Sequence, residues 1–453
     1  MQAQAHYDYL IIGADAAGNS AAGQIRRRHK EATIGILEKG AIISYGACGL
    51  PYAVSGKIDS IDKLIHFTPE AFGGRTKADV LVGHEAIGLN TDAKKVQVQT
   101  EHGALEIGYG KLLIATGAAP IRLPFIDYAH PGVFELKTVP DGRAIKSYVA
   151  SGKVKRAGII GAGYIGLEAA ETFREMGLAV TVIEALDRAM PRLLESQSNQ
   201  IANQMQKEGV EFLTGVRAEA MHSDGDGIVL TTSAGELQFD LLLVAVGMRP
   251  NTSFLDSSGL ALDKGAVVIN QKGETSLADV YSGGDCALVH HALLGKAVYY
   301  PLGHTANKQG RIAGVNMASP PEQQLEFAGV TGTQVFKFFD TAYAATGLSA
   351  AEAAANGFEP VEVSALRPSK AGYYPGSGKA KMSLVFDQKS QQLLGAFYSG
   401  PLDSYAMIDA ASALIYKKAT ASEIAWMDFA YAPPFAPVWN ALISAAGKLL
   451  GDE

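Results

Sequence analysis

One pattern occurs twice in this chain and limits its fold more than any other feature. YDYLIIGADAAGNSAAGQIRRR begins at Tyr7, and VKRAGIIGAGYIGLEAAETFREMG begins at Val154. Each reads as an apolar strand, a glycine-rich turn and an amphipathic helix. Each is followed by a second strand ending in an acid, TIGILEK with Glu38 and AVTVIEA with Glu184. Such a unit builds half of a doubly wound sheet and presents a helix N-terminus to a dinucleotide pyrophosphate. Two copies predict an α/β protein with two Rossmann-like dinucleotide-binding domains.

The second copy is complete. Gly161 permits the tight turn, Gly163 lets the backbone approach a pyrophosphate, and Gly166 allows close packing of helix on strand. Glu184 is placed to accept hydrogen bonds from ribose hydroxyls and to repel a 2′-phosphate, which predicts NADH over NADPH. The first copy keeps Gly13 and Gly18 but has Asp15 in the middle place, where a charged side chain crowds and repels a pyrophosphate. Its role stays open between capping the helix and binding water. Glu38, the strand-to-turn signal ATGAAP (115–120) and YSGGDCA (281–287), where Asp285 is suited to a polyol chain, support a nucleotide site here too.

The 453 residues allow two or three domains, and 47% hydrophobic content supplies their cores. A net charge of −7, from 39 basic and 46 acidic side chains, argues against general nucleic-acid binding. Two cysteines, Cys48 and Cys286, make no disulfide framework and no metal or dithiol spacing. With no signal-peptide pattern and no membrane-length apolar run, the expected location is the cytoplasm, without metal, membrane or nucleic-acid partners. From about residue 326, strand-like runs with turns and then Ala-rich helical segments near 402–417 and 420–426 predict a separate α+β domain. On the residues alone, Cys48 in SYGACGLPYAVSG is an inert thiol, a metal ligand or a redox centre.

Gly13–Gly18, Glu38, ATGAAP, GAGYIG, GMRPN, YSGGDCA and PLGHTANKQGR follow one another as in the FAD- and NAD(P)-dependent pyridine nucleotide–disulfide oxidoreductases, which the whole chain resembles. The resemblance implies a glutathione-reductase-like fold: an FAD domain from 1–118 and 245–325, an NAD domain at 119–244, and a C-terminal dimerisation domain at 326–453 of a homodimer. It implies FAD contacts at Gly13, Gly18, Glu38, Lys39, Thr116, Gly117, Asp285 and Ala306, and NAD contacts at Gly161, Gly163, Gly166 and Glu184. The HTANKQGR segment is expected to start a helix whose N-terminus faces the flavin pyrimidine. Where glutathione-reductase-like enzymes carry a cysteine pair, this chain has Cys48 alone. That is similar to the single-cysteine branch of coenzyme A-disulfide reductases, CoA-persulfide reductases, NADH oxidases and NADH peroxidases. YYPG (373–376) and YAPPFAPVWN (431–440) look most like the coenzyme A-disulfide reductases, whose paired active-site tyrosines map onto Tyr373 and Tyr431. No fused rhodanese domain is expected.

What this implies for chemistry is a relay: NADH reduces FAD, and electrons pass to Cys48 and a CoA disulfide, CoA persulfide or polysulfide through a mixed disulfide. Pro51 suits a helix start just after Cys48, which is expected to lower the thiol pKa. Tyr373 and Tyr431, donated across the dimer interface, are expected to serve the departing sulfur. Gln24, Arg27, Ser44 and Arg75 are the candidate CoA contacts, and Cys286 is expected to fill space. Ala47 departs from the Asn that many coenzyme A-disulfide reductases carry there. The alternatives are an NADH oxidase or peroxidase cycling Cys48 through a sulfenic acid, a flavin-bound redox sensor, and electron delivery to a protein acceptor.

Overall fold

The structure is a computed structural model and describes residues 5–451. The first repeat forms β1 (His6–Ile12), α1 (Ala16–Arg28) and β2 (Ile34–Glu38). A 3-10 turn at Ala47–Gly49 leads into the short α2 (Leu50–Val54), and α3 (Pro69–Thr76) precedes β3 (Asp79–Val82), β4 (Glu85–Asn90), β5 (Lys95–Thr100) and β6 (Gly103–Ile114). Next come β7 (Ala118–Pro120), β8 (Val133–Phe134) and α4 (Val139–Ala150). The second repeat forms β9 (Arg156–Ile160), α5 (Tyr164–Glu175) and β10 (Ala179–Glu184), followed by α6 (Glu195–Lys207) and β11 (Val210–Thr214). A meander of β12 (Ala218–Asp224), β13 (Gly227–Thr232) and β14 (Gly235–Phe239) leads to β15 (Leu241–Val244) and β16 (Met248–Pro250). The short strands β17 (Leu262–Asp263), β18 (Ala266–Val267), β19 (Val280–Ser282), β20 (Val289–His291) and β21 (Lys296–Val298) precede α7 (Gly303–Met317). The C-terminal part holds β22 (Gln334–Phe338), β23 (Thr341–Gly347), α8 (Ala350–Ala355), β24 (Pro360–Pro368), β25 (Lys379–Asp387), β26 (Leu393–Gly400), α9 (Met407–Tyr416), α10 (Ala421–Ala425) and α11 (Ala441–Leu449).

The first sheet runs β3-β2-β1-β6-β5-β4, and β19 adds in parallel beside β6. β6 serves two partners: its first half pairs antiparallel with β5 and its second half parallel with β1. The apolar run of β1 follows from this, since Leu10, Ile11 and Ile12 are buried inside a sheet covered on both faces. The second sheet, β11-β10-β9-β15-β8, is parallel throughout. β7 and β16, carrying ATGAAP and GMRPN, pair antiparallel between the two sheets. The C-terminal sheet, β22-β23-β26-β25-β24, is antiparallel.

α1 and α7 meet where Gly310 and Gly314 remove side chains. A Cβ on Gly310 would lie 2.1 Å from the Ala17 carbonyl oxygen, and one on Gly314 would lie 2.5 Å from that of Ala21. One core cluster contains Leu50 and Val54 of α2, Ile159 and Leu167 of the second repeat, and Phe336 and Leu394 of the C-terminal sheet. A polar knot lies beside it. Glu171 of α5, its side chain 4% exposed, accepts from Lys57 at 2.8 Å, from Lys337 of β22 and from the Phe339 backbone N–H at 2.7 Å. Burial pushes the Glu171 carboxyl up, but the lysines and the amide outweigh it and hold it below the usual range.

The Ala-rich expectation near 402–417 resolves into a 3-10 turn at Leu402–Ser404 and then α9. The last helix, α11, was not legible as a helix. It is capped by Asn440, whose side chain accepts from the Leu442 and Ile443 N–H groups, and it packs its Ala and Leu face onto the C-terminal sheet.

Candidate active site: two nucleotide loops and a cysteine on one cavity

The two glycine-rich loops are near-superimposable in their bonding. Gly13 and Gly161 have φ of +108° and +104°, a region open to glycine, and their N–H groups donate to the Leu37 and Ile183 carbonyls at 2.8 Å. A Cβ on Gly18 would sit 1.9 Å from the Gly13 oxygen, and one on Gly166 would sit 2.0 Å from that of Gly161, so both third glycines serve helix–strand packing. Each acid reaches back to its loop. Glu38 accepts from the Ala14 N–H at 3.1 Å and the Gly40 N–H at 2.8 Å, while Glu184 accepts from Ala162 at 2.7 Å and Leu186 at 2.9 Å. Space beside Gly163 is open, with no atom within 4 Å of a hypothetical Cβ.

Asp15 occupies the N-cap of α1 but makes no side-chain cap. Its carboxylate accepts instead from the Tyr45 backbone N–H at 3.3 Å. Desolvation is the main reason its pKa rises to about 6; Glu38 and Asp285 push the same way, while the Tyr45 N–H and Lys137 oppose. Of the two roles left open by the sequence, capping is therefore not the one observed.

A cavity of ≈ 2820 Å³ takes in both loops, Glu38, Lys39, Thr116, Gly117, Glu184, Asp285 and Ala306. That is several times the size of a single small-molecule pocket. Gly18 and Gly166 do not line it. Thr116 donates its hydroxyl to the Asn251 carbonyl at 2.7 Å, and Asn251 returns a bond to the Thr116 carbonyl at 3.0 Å, which fixes the crossing at β7 and β16. Lys137 donates to Asp285 Oδ2 at 3.3 Å, whereas Asp285 Oδ1 is buried without a partner among the described residues. Thr305 Oγ1, in the first turn of α7, is likewise buried and unpartnered. Thr305 does not line the cavity, but a polyhydroxyl chain in it satisfies the orphaned Asp285 oxygen, and the α7 N-terminus carries no acid, so this end of the cavity fits FAD.

Cys48 lies on the same cavity and is exposed, in the 3-10 turn ahead of α2. Pro51 stands in the first turn of α2 as expected, but the thiol pKa is raised rather than lowered. Crowding by protein raises it most, then the Glu168 carboxylate; Lys137 opposes. A five-residue helix supplies too little dipole to reverse this. Glu168 and Tyr52 were missed by sequence reasoning. Tyr52 donates to Glu168 Oε1 at 3.1 Å, and burial pushes Glu168 up to about 7. The available signal was spacing: Tyr164, Glu168 and Thr172 share one face of α5, and the Thr172 hydroxyl donates to the Pro51 carbonyl at 3.1 Å. Lys137 had no signal beyond its place before the Thr138–Asp141 capping box of α4.

The remaining candidates divide. Gln24, Arg27, Ser44 and Arg75 all line the cavity. In the three-arginine run, Arg26 is consumed by carbonyls that include Thr76 and Ala32, and Arg28 donates to Gln24 Oε1 at 2.9 Å, while Arg27 is exposed on the rim. Arg75 stacks over Phe67. Tyr373 and Tyr431 do not line the cavity. Their hydroxyls are 3.5 Å apart on the outer surface, with Tyr373 78% exposed. Cys286 is fully buried, its thiol donating to the Ile114 carbonyl. No cluster of metal-ligating side chains occurs among the described residues, and no helix there is long and apolar enough to cross a membrane.

Two dinucleotide loops and a cysteine facing one cavity define a flavin- and nicotinamide-dependent oxidoreductase. The pyridine nucleotide-disulphide oxidoreductase model matches residues 7–310, and that of the dimerisation domain matches 333–442. The chain belongs to this family, which brings FAD and NAD(P)H with it. It is 34% identical over 444 residues to an NAD(P)H coenzyme A polysulfide/persulfide reductase of Pyrococcus horikoshii, covering 97% of this chain and 98% of that one. It is 30% identical over 431 residues to a coenzyme A disulfide reductase of Staphylococcus aureus (94% and 96%). Among solved structures, an NAD-dependent persulfide reductase from A. fulgidus superposes with a TM-score of 0.93 at 32% identity, over 98% of this chain and 83% of that one. A water-forming NADH oxidase from Lactobacillus brevis, bound to NADH, superposes with a TM-score of 0.93 at 26% identity, over 98% of each chain. An engineered mutant of that oxidase is an NADPH oxidase bound to NADPH and also gives 0.93 at 26%, over 98% of each chain. Its substitutions fall at a glycine, an aspartate 18 positions on, the alanine and methionine that follow it, and a proline five further on.

Proposed function

We propose that this protein is an NADH-dependent flavoprotein that reduces coenzyme A-linked disulfides, persulfides or polysulfides through Cys48. The observation that carries the reading is the isolation of Cys48: it opens onto the cavity that holds both nucleotide loops, and the other cysteine, Cys286, is sealed in the core. The second half of a disulfide then comes from the substrate. FAD, when bound, supplies the two-electron chemistry that links a nicotinamide to sulfur.

The protein's own part is a thiol exchange. The Cys48 thiolate attacks the substrate disulfide, one S–S bond forms as another breaks, and the departing sulfur leaves as a thiolate that takes a proton. Two electrons and a proton then return the mixed disulfide to Cys48 thiolate and free thiol. Lys137 favours the thiolate, and Glu168 opposes it while ionised. Protonation of Glu168, which titrates near 7, removes that opposition, while crowding by the protein stays the larger brake on the thiolate. Arg27 and Arg75, exposed residues lining the same cavity, meet the CoA phosphates in this reading, and Gln24 and Ser44, which also line it, contact the rest of the CoA. Tyr373 and Tyr431, exposed and paired, serve the leaving sulfur from the other subunit of a homodimer.

NADH is the preferred donor in this reading. The glycine, acid, alanine, long apolar residue and proline whose replacement gave the NADPH-using oxidase have counterparts at the same spacing in Gly166, Glu184, Ala185, Leu186 and Pro191. The deciding experiment is intact mass before and after reductant, with Cys48→Ser alongside. A reductant-sensitive CoA adduct absent from the variant, together with loss of CoA-disulfide turnover, is expected; full turnover by Cys48→Ser refutes the relay. The likeness to a water-forming NADH oxidase favours a second reading, in which Cys48 cycles through a sulfenic acid. Peroxide or oxygen turnover that outpaces CoA-disulfide reduction would select it.

A further inference from the structure

The internal repeat isolates one interaction that the first copy has and the second lacks. In both copies the alanine after the first glycine binds a later residue held in the left-handed region. The Ser44 N–H, at φ +50°, donates to the Ala14 carbonyl at 3.0 Å, and the Met190 N–H, at φ +49°, donates to the Ala162 carbonyl at 3.1 Å. One residue further on, the copies diverge at both partners. At the equivalent positions the second has Gly163, without a side chain, and Pro191, without an N–H. The first has Asp15 and Tyr45, and the carboxylate accepts from that N–H at 3.3 Å. Acceptor and donor are both present in one copy and both absent from the other. The segment they hold is the one that carries Cys48, three residues on. The same segment is stitched to its other neighbour by Gly46 N–H to the Leu64 carbonyl and His66 N–H to the Ser44 carbonyl.

We propose that Asp15 is a positioning residue for Cys48, clamping the cysteine segment to the phosphate end of the first nucleotide site so that the two move as one unit. This rests on the reading of Cys48 as the working thiol, and it explains why the middle glycine of the motif is replaced. A glycine at 15 gives the second copy's loop, which binds a nucleotide without a clamp; the aspartate trades some welcome to phosphate for control of residues 44–48. Because the clamp joins the two sites, an effect of one on the other is reciprocal.

The test compares Asp15→Asn, which keeps an oxygen acceptor and loses the charge, with Asp15→Gly, which loses both. Each is purified as the FAD-loaded full chain. Hydrogen exchange is followed by mass spectrometry over 42–50, alkylation of Cys48 by iodoacetamide is timed, and the FAD dissociation constant is measured. In Asp15→Gly the Tyr45 amide exchanges about 5- to 10-fold faster and Cys48 alkylates at least about threefold faster, with FAD held no more weakly than in the parent. In Asp15→Asn exchange stays within about twofold of the parent. Unchanged exchange over 42–50 in Asp15→Gly overturns the proposal, and so does a tenfold loss of FAD affinity with exchange unchanged, which would make Asp15 a flavin ligand instead. If Cys48→Ser keeps full turnover, the sulfur relay fails, while the exchange result still reports the clamp.

Discussion

At Asp15 and Glu168 the surrounding protein works against the charge, and the sign of the consequence can be followed. Unfolded, these carboxyls titrate near 3.8 and 4.5; folded, they titrate near 6 and 7, mainly through desolvation. The folded chain holds both protons more tightly, so unfolding releases them. The stability contribution is fully present below about pH 4 and is lost as pH rises through about 6 at Asp15 and about 7 at Glu168. Each group then costs the FAD-free protein about 3 kcal/mol at pH 8. Asp15→Asn and Glu168→Gln are expected to melt above the parent at pH 8 and to converge with it as pH falls to about 4, as followed by thermal unfolding of the FAD-free protein. A parent-to-variant gap that does not depend on pH would show that these carboxyls are not the titrating groups. Glu184 carries a second prediction. Exchanging it for Ala together with Ala185→Arg removes the repulsion of a 2′-phosphate and adds a cation, and steady-state kinetics should show the NADPH-to-NADH ratio of kcat/KM rising by at least about 100-fold.

At the scale of the element, the contact between α1 and α7 depends on what is missing from it. Gly310→Ala puts a methyl group 2.1 Å from the Ala17 carbonyl, so a helix must move; a cost of about 2–4 kcal/mol and weakened FAD retention are expected, from chemical denaturation and flavin content. Gly74→Ala in α3 is the control. Nothing lies within 4 Å of the added Cβ on that exposed turn, and helix propensity alone predicts a gain of about 0.5–1 kcal/mol. The contrast also shows how far sequence carries. The two strand–loop–helix units were legible because phosphate loops need glycine at fixed offsets, and the acids at Glu38 and Glu184 because they end the next strand. The α1–α7 contact was not, since its partners lie nearly 300 residues apart and glycine in a helix does not name its neighbour. Lys137 and Glu168 escaped for the same reason: a charged residue acquires a role only when the fold brings Asp285 or Tyr52 to it. The direction of the Cys48 shift was misjudged because a helix start can be seen in a sequence, whereas crowding and a facing carboxylate cannot.

The whole molecule presents a surface that one copy does not use. Trp426, Tyr373, Phe435, Val438 and Trp439 are each more than half exposed, and all lie in the C-terminal part, whose residues 333–442 match the dimerisation-domain model. Large aromatics grouped in this way mark an interface. Tyr373 and Tyr431 lie with them and off their own chain's cavity, so they can serve a Cys48 only if a second copy brings them there. Subunit mixing tests that geometry. Cys48→Ser homodimers lack the thiol, and Tyr373→Phe/Tyr431→Phe homodimers lack the hydroxyls proposed to serve the leaving sulfur, so each alone is expected to be impaired. When equal amounts are unfolded and refolded together, half of the dimers are hybrids, and each hybrid has one site with the intact cysteine of one chain and the intact tyrosines of the other. Counting sites gives about a quarter of parental CoA-disulfide turnover above the residual activity of the two parents. If the tyrosines acted on their own chain's cysteine, every site in a hybrid would carry one lesion or the other. Activity would then stay at the average of the two variants.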